Sequence, residues 1–113
     1  MKNIYFISDI HLGSNSSKIT DKFINFITNK SSDMKELYIL GDLFESWIDD
    51  KYDIFENDLI ISTLQNIAKN GTKIFLIHGN RDFLIGKKFS KITNIEILPE
   101  NYILRLSNTK ILI

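Results

Sequence analysis

The stretch Leu37-Tyr38-Ile39-Leu40-Gly41-Asp42 decides the fold. Its unbroken apolar run describes a strand buried on both faces, and the glycine and carboxylate that follow describe a sharp turn. The same pattern lies on either side. Ile4-Tyr5-Phe6-Ile7 leads into Ser8-Asp9-Ile10-His11, and Ile74-Phe75-Leu76-Ile77 leads into His78-Gly79-Asn80-Arg81-Asp82. Between the first two runs Ile19, Phe23, Phe26 and Ile27 recur at helical spacing, which predicts a helix of about ten residues with one face on a sheet. Between the second and third, Ile60, Leu64, Ile67 and Ala68 mark a longer helix. Asp53 with Glu56 reads as a capping box at its start, and Asn70-Gly71 as a left-handed stop. The order β-α-β-α-β with right-handed crossovers predicts an α/β fold, a mostly parallel sheet with flanking helices. After Gly86, Ile95 to Leu98, Tyr102 to Leu106 and Lys110 to Ile113 read as shorter strands, joined by turns at Pro99-Glu100-Asn101 and Ser107-Asn108.

Composition narrows the function classes. A chain of 113 residues is enough for one small domain. Fourteen basic and fourteen acidic residues cancel, so no overall basic field argues for a nucleic-acid partner. The lack of cysteine excludes disulfides, thiolate zinc sites and a cysteine nucleophile, and fits the cytoplasm. Ile4 to Ile7 is too short for the apolar core of a signal peptide. No run approaches the ~20 apolar residues of a membrane-spanning helix.

The chemistry lies in the segments after the three strands. In a parallel sheet all three leave at the carboxyl-terminal edge, where open α/β sheets bind ligands. Asp9, His11, Asp42 and Asn80 are therefore expected to converge. Carboxylate, imidazole and amide oxygen suit Mn²⁺, Fe²⁺ or Zn²⁺. Asp42 has two oxygens and can bridge two ions. Gly41 and Gly79 are expected to let the backbone bend just before a ligand. Each fragment alone is commonly a turn or a helix cap; specificity comes from all three in this order, each after a buried strand.

Asp9-x-His11, Gly41-Asp42 and Gly79-Asn80-x-Asp82 resemble the first three signature blocks of the calcineurin-like metallophosphoesterases. Most members have His after the Asn of the third block, where this chain has Arg81. With Tyr38 to Ile48 and Ile77 to Gly86, that departure resembles the UDP-2,3-diacylglucosamine pyrophosphohydrolase branch, over essentially the whole chain. The resemblance implies the first half of an α/β/β/α sandwich, residues 1–113 forming a metallophosphoesterase domain incomplete at its carboxyl terminus. It also implies two Mn²⁺ ions: Asp9 and His11 would hold the first, Asp42 would bridge both and Asn80 would bind the second. Asn80 and Arg81 would touch the substrate phosphates. Arg81 offers a fixed fork of donors and no proton at neutral pH, so it reads as a phosphate clamp rather than a general acid. No residue is read as a direct acid or base.

The implied reaction cleaves the pyrophosphate of UDP-2,3-diacylglucosamine into UMP and 2,3-diacylglucosamine 1-phosphate, in lipid A biosynthesis. The enzyme would be peripheral, on the cytoplasmic side of the bacterial inner membrane, with the nucleotide lipid and that membrane surface as partners. Its oligomeric state is not readable. The alternatives are another phosphoesterase of the superfamily, acting on nucleotides, nucleic acid or phosphoproteins, or a non-catalytic scaffold of the same fold. Later signature histidines are missing from the chain, which is expected to bind metal weakly and hydrolyse little unaided. His78 is not expected to act directly, and Asp82 is expected to support its loop or cap the next helix. Phe44, Trp47 and Phe55 read as core, with Phe44 or Trp47 weighed as substrate contacts. Glu45, Asp49 and Asp50 read as a solvated acidic turn. Lys87, Lys88 and Lys91 beside Phe83, Ile85 and Phe89 are weighed as a lipid-headgroup face against an ordinary solvated helix face.

Overall fold

The three apolar runs form three neighbouring parallel strands in the computed structural model, which describes residues 3–8, 10–13, 17–44, 47, 50, 57–79, 84–99, 103–106 and 109–112. β1 (Asn3–Ile7) is followed by α1 (Ser17–Lys30) and a short 3-10 turn, then β2 (Met34–Leu40). Next come α2 (Asp58–Lys69), β3 (Lys73–Ile77), α3 (Lys87–Thr93) and β4 (Glu96–Ile97). The sheet order is β1-β2-β3-β4, every pair parallel. β5 (Ile103–Leu106) and β6 (Thr109–Leu112) form a separate antiparallel pair.

The two faces of the sheet differ. Leu37, Ile39, Ile74 and Leu76 are buried in a core with Phe23 and Ile27 of α1, Ile60, Leu64 and Ile67 of α2, and Phe89 of α3. Each such side chain contributes roughly 1.5–3 kcal/mol of transfer free energy. The opposite face carries Phe6, Tyr38 and Phe75, in register across three strands and stacked at centroid distances of 5.3 and 4.7 Å. Tyr38 is buried there, but Phe6 is 39% and Leu40 36% exposed. Burial on both faces therefore holds for the middle of β2 and extends to Ile77 at the end of β3, but not to Phe6 of β1 or Leu40 at the end of β2.

The helices depart from expectation at their margins. α1 has 14 residues, and its buried stripe is Phe23 and Ile27, while Ile19 and Phe26 are exposed. Phe26 instead sets its ring edge-on to Tyr5. α2 begins at Asp58, with Asn57 at its N-cap and no side-chain capping bond. Asp53 and Glu56 lie outside the described residues. Gly71, at a φ of +107°, ends α2 as expected. The turns expected at residues 100–101 and 107–108 also lie outside the described residues.

The amino-terminal edge of the sheet is tied by Asp33. Its Oδ2 accepts hydrogen bonds from the Tyr5 hydroxyl at 2.7 Å and the Asn3 amide at 2.8 Å. The Tyr5 bond, then the Asn3 bond, holds the Asp33 carboxyl below its ordinary 3.8, and the carboxylate in turn holds Tyr5 above its ordinary 10.0. Both shifts favour Asp33 ionised and Tyr5 neutral. The Asp33 contribution is present above about pH 3.8 and fades as pH falls through its lowered folded value. The Tyr5 contribution is present below about pH 10.0 and fades as pH rises through its raised value. Melting curves of Asp33→Asn between pH 2 and 5 should therefore show a flatter acid limb than the parent, with Tyr5→Phe in between.

Candidate metal centre

The ladder between β1 and β2 continues past both strands. The His11 amide donates to the Asp42 carbonyl at 3.0 Å and the Leu12 amide to the Leu43 carbonyl at 2.8 Å. Leu12 then pairs with Phe44 in a parallel bridge. Leu12, Leu43 and Phe44 are fully buried, so the two segments are zipped together and pressed onto the core. His11 and Asp42 sit half-buried at the start of this zipper.

Both donors are held in the left-handed region, at a φ of 56° for His11 and 52° for Asp42. That conformation costs roughly 1–3 kcal/mol for a residue with a side chain. It persists because the flanking bonds and buried side chains over-determine it. Gly41, at a φ of +94°, makes the bend before Asp42 as expected.

Gly79 acts differently from the expectation of a bend. A Cβ there would overlap the backbone nitrogen and the carboxylate of Asp42. A Cβ on Gly41 would in turn lie 3.0 Å from the Cα of Gly79. Gly79 thus serves close approach. The segments after β2 and β3 touch backbone to backbone, and the third strand end joins the other two.

The structure thus brings together His11, Asp42 and Gly79, the residue immediately before Asn80. Asp9, Asn80, Arg81 and Asp82 lie outside the described residues. Among the described residues no group of three or more His, Cys, Asp or Glu forms a ready metal site. The described donors are an imidazole and a carboxylate, which suit a borderline divalent cation. Their backbones are bonded directly to each other, so the donor set fits such an ion as part of a larger shell. A cleft of about 620 Å³ lined by Ala68, Thr72, Ile74, Ser90, Asn94 and Glu96 involves the start of β3, at the other end of that strand, and none of these donors.

Two residues emerge with roles not legible in the sequence. Asp50 is not a solvated turn residue. Its Oδ1 accepts from the Trp47 indole at 2.8 Å and the Gly86 amide at 3.0 Å, and its Oδ2 accepts from the Phe89 amide at 3.1 Å. It therefore caps α3 from 36 residues away. A Cβ at position 86 would lie 3.1 Å from Asp50 Oδ2, so the carboxylate would have to give by a few tenths of an ångström. His78 places Nε2 2.7 Å from the carbonyl oxygen of Ile85.

The residues weighed as lipid contacts resolve into core. Phe44, Trp47 and Phe89 form one aromatic cluster with centroid separations of 4.6, 5.2 and 6.1 Å. All three are buried, as is Ile85, so none offers a face to an acyl chain or a membrane. Lys87, Lys88 and Lys91 are exposed. Phe55, Phe83, Glu45 and Asp49 lie outside the described residues.

An imidazole and a carboxylate brought together at the carboxyl edge of a parallel sheet, with Gly79 of the third strand end packed against them, suit a metal-dependent phosphoesterase. Residues 2–111 match the calcineurin-like phosphoesterase model, and the chain belongs to that family. Membership implies divalent metal ions. The chain is 39% identical over 113 residues to a UDP-2,3-diacylglucosamine hydrolase of Haemophilus influenzae, covering 100% of this chain and 48% of the relative. It is 43% identical over 110 residues to one from Aliivibrio fischeri, covering 97% and 46%. It is 41% identical over 112 residues to one from Pseudomonas aeruginosa, covering 98% and 46%. The chain spans about half the length of these curated relatives.

Three substitutions test the packing. Gly71→Ala should cost roughly 1–3 kcal/mol from backbone strain alone, since nothing lies near its Cβ. Gly79→Ala must displace the Asp42 backbone or carboxylate, so it should lower the melting temperature further and weaken divalent-metal binding by the intact protein in a calorimetric titration. Equal melting temperatures for the two would show that the Asp42 contact yields freely. Asp50→Ala should cost about 0.5–2 kcal/mol through the lost helix cap, read by denaturant unfolding.

Proposed function

We propose that the protein carrying this chain hydrolyses UDP-2,3-diacylglucosamine at its pyrophosphate, giving UMP and 2,3-diacylglucosamine 1-phosphate in lipid A biosynthesis. The observation that carries the reading is the contact of Gly79 with Asp42, which sets the residue preceding Asn80 in sequence beside His11 and Asp42. Kinship with relatives named for this substrate supports it.

In this reading Asp9, His11, Asp42 and Asn80 would hold two divalent ions, preferably Mn²⁺. Bound there, the ions supply activated water and neutralise charge on the phosphoryl oxygens. Water adds across the P–O–P bridge; one phosphorus gains the hydroxyl, and the bridging oxygen leaves on the other. That leaving group is already a stable anion and needs little acid assistance. Arg81, always protonated and planar, clamps the phosphate oxygens as charge shifts onto them. The strained, prearranged backbone at His11 and Asp42 lowers the reorganisation needed when the ligands close. The acyl chains keep the substrate in a membrane, so the enzyme would work as a peripheral protein at the cytoplasmic face of the bacterial inner membrane, with the exposed Lys87, Lys88 and Lys91 on hand for anionic headgroups.

The test uses the intact protein, freed of metal by chelation and assayed on UDP-2,3-diacylglucosamine in mixed micelles. Added Mn²⁺ should restore release of UMP, and Asp42→Ala should abolish it. Arg81→Ala should lower kcat by about 10²–10³-fold, and Arg81→Lys should recover little of the loss because a lysine lacks the bidentate fork. Preferred turnover of a dinucleoside polyphosphate would point to another phosphoesterase. No metal-dependent turnover of any phosphoester would point to a scaffold.

A further inference from the structure

We infer that His78 is a positioning residue for the Asn80-Arg81 segment, acting by closing the loop between β3 and α3. Nε2 lies 2.7 Å from the Ile85 carbonyl oxygen. A carbonyl only accepts, so Nε2 carries the hydrogen and donates it, which sets the tautomer. The bond joins residues seven apart, and neither the sheet ladder nor a helix uses it.

Both ends of this bond are anchored. His78 directly follows β3, and the next residue, Gly79, is wedged against Asp42. Ile85 is 2% exposed in the core. Its neighbour Gly86 is held through its amide by Asp50, as is Phe89 one turn into α3. A half-buried imidazole therefore ties two fixed points, and residues 79–84 lie between them. Asn80 and Arg81 are in that interval. Shortening the free path between fixed points removes loop conformations and narrows where these residues can stand. Misplacement of a transition-state contact by about 1 Å costs on the order of 10²-fold in rate. The inference rests on the proposed phosphate role of Arg81, but the tether itself is a property of the loop and is measured separately.

The test has two arms on the intact protein. In hydrogen–deuterium exchange, His78→Leu should raise exchange across residues 79–86 and leave β1 and β2 protected, while His78→Gln, which restores a side-chain N–H donor, should recover protection. Unchanged exchange in His78→Leu overturns the inference. In turnover with Mn²⁺, His78→Leu should lower kcat by about 10–100-fold with little change in KM, and His78→Gln should return to within about threefold. In an Arg81→Ala background the same His78→Leu change should cost less than about threefold, because the residue it positions is gone. Additive losses would assign His78 to general stability and overturn the inference. If the intact protein turns over no phosphoester, the functional reading fails, and the exchange arm still decides whether the tether exists.

Discussion

Where the segments after β2 and β3 meet, the missing side chain of Gly79 leaves just enough room for the Asp42 backbone and carboxylate. Much of the site geometry follows from that contact. The segment after β1 is bonded to Asp42 through the His11 amide, so one carboxylate residue is held from two sides. It receives the first strand end by hydrogen bonding and the third by close packing. A parallel sheet brings strand ends to one edge but leaves them about 4.8 Å apart. Closing that gap to direct contact needs a position without a Cβ, and the chain provides two, at Gly41 and Gly79.

The strain at His11 and Asp42 has an evident counterweight. Leu12, Leu43 and Phe44 follow at once and are fully buried. Each strained residue is therefore followed by an apolar one that gains more from burial than the left-handed backbone costs. Phe44 packs tilted against Trp47 and edge-on to Phe89, which extends the same support to α3. The candidate centre thus lies against an aromatic cluster, and the rigidity of that cluster is passed on to the donors.

The central strands, their parallel order and the helix stripe of Ile60, Leu64 and Ile67 were legible, because continuous apolar runs and a 3.6-residue period are local signals. The convergence of His11 and Asp42 was legible through topology. What the sequence hid is long-range. Nothing near Asp50 announces that Gly86 and Phe89, more than thirty residues on, will take its oxygens. With Asp49 and Asp50 adjacent, a solvated turn is the natural reading until α3 is seen to arrive there. His78 was overlooked because ligand motifs draw the eye to Asn80. The misjudged exposure of Phe26 came from assuming that every apolar residue at helical spacing faces the sheet, although Tyr5 meets it at the margin.

The chain holds a single tryptophan, and it lies at the junction just described. Trp47 is buried against Phe44 and Phe89 and donates its indole N–H to Asp50, the same carboxylate that receives the Gly86 and Phe89 amides. Within these 113 residues tryptophan emission therefore comes from one known place, where the segment after β2 meets the head of α3. Separation of those two elements would expose the ring to water and break its hydrogen bond in the same event. The molecule carries its own fluorophore at the seam behind the candidate centre, and loosening of that seam can be followed optically with no label attached.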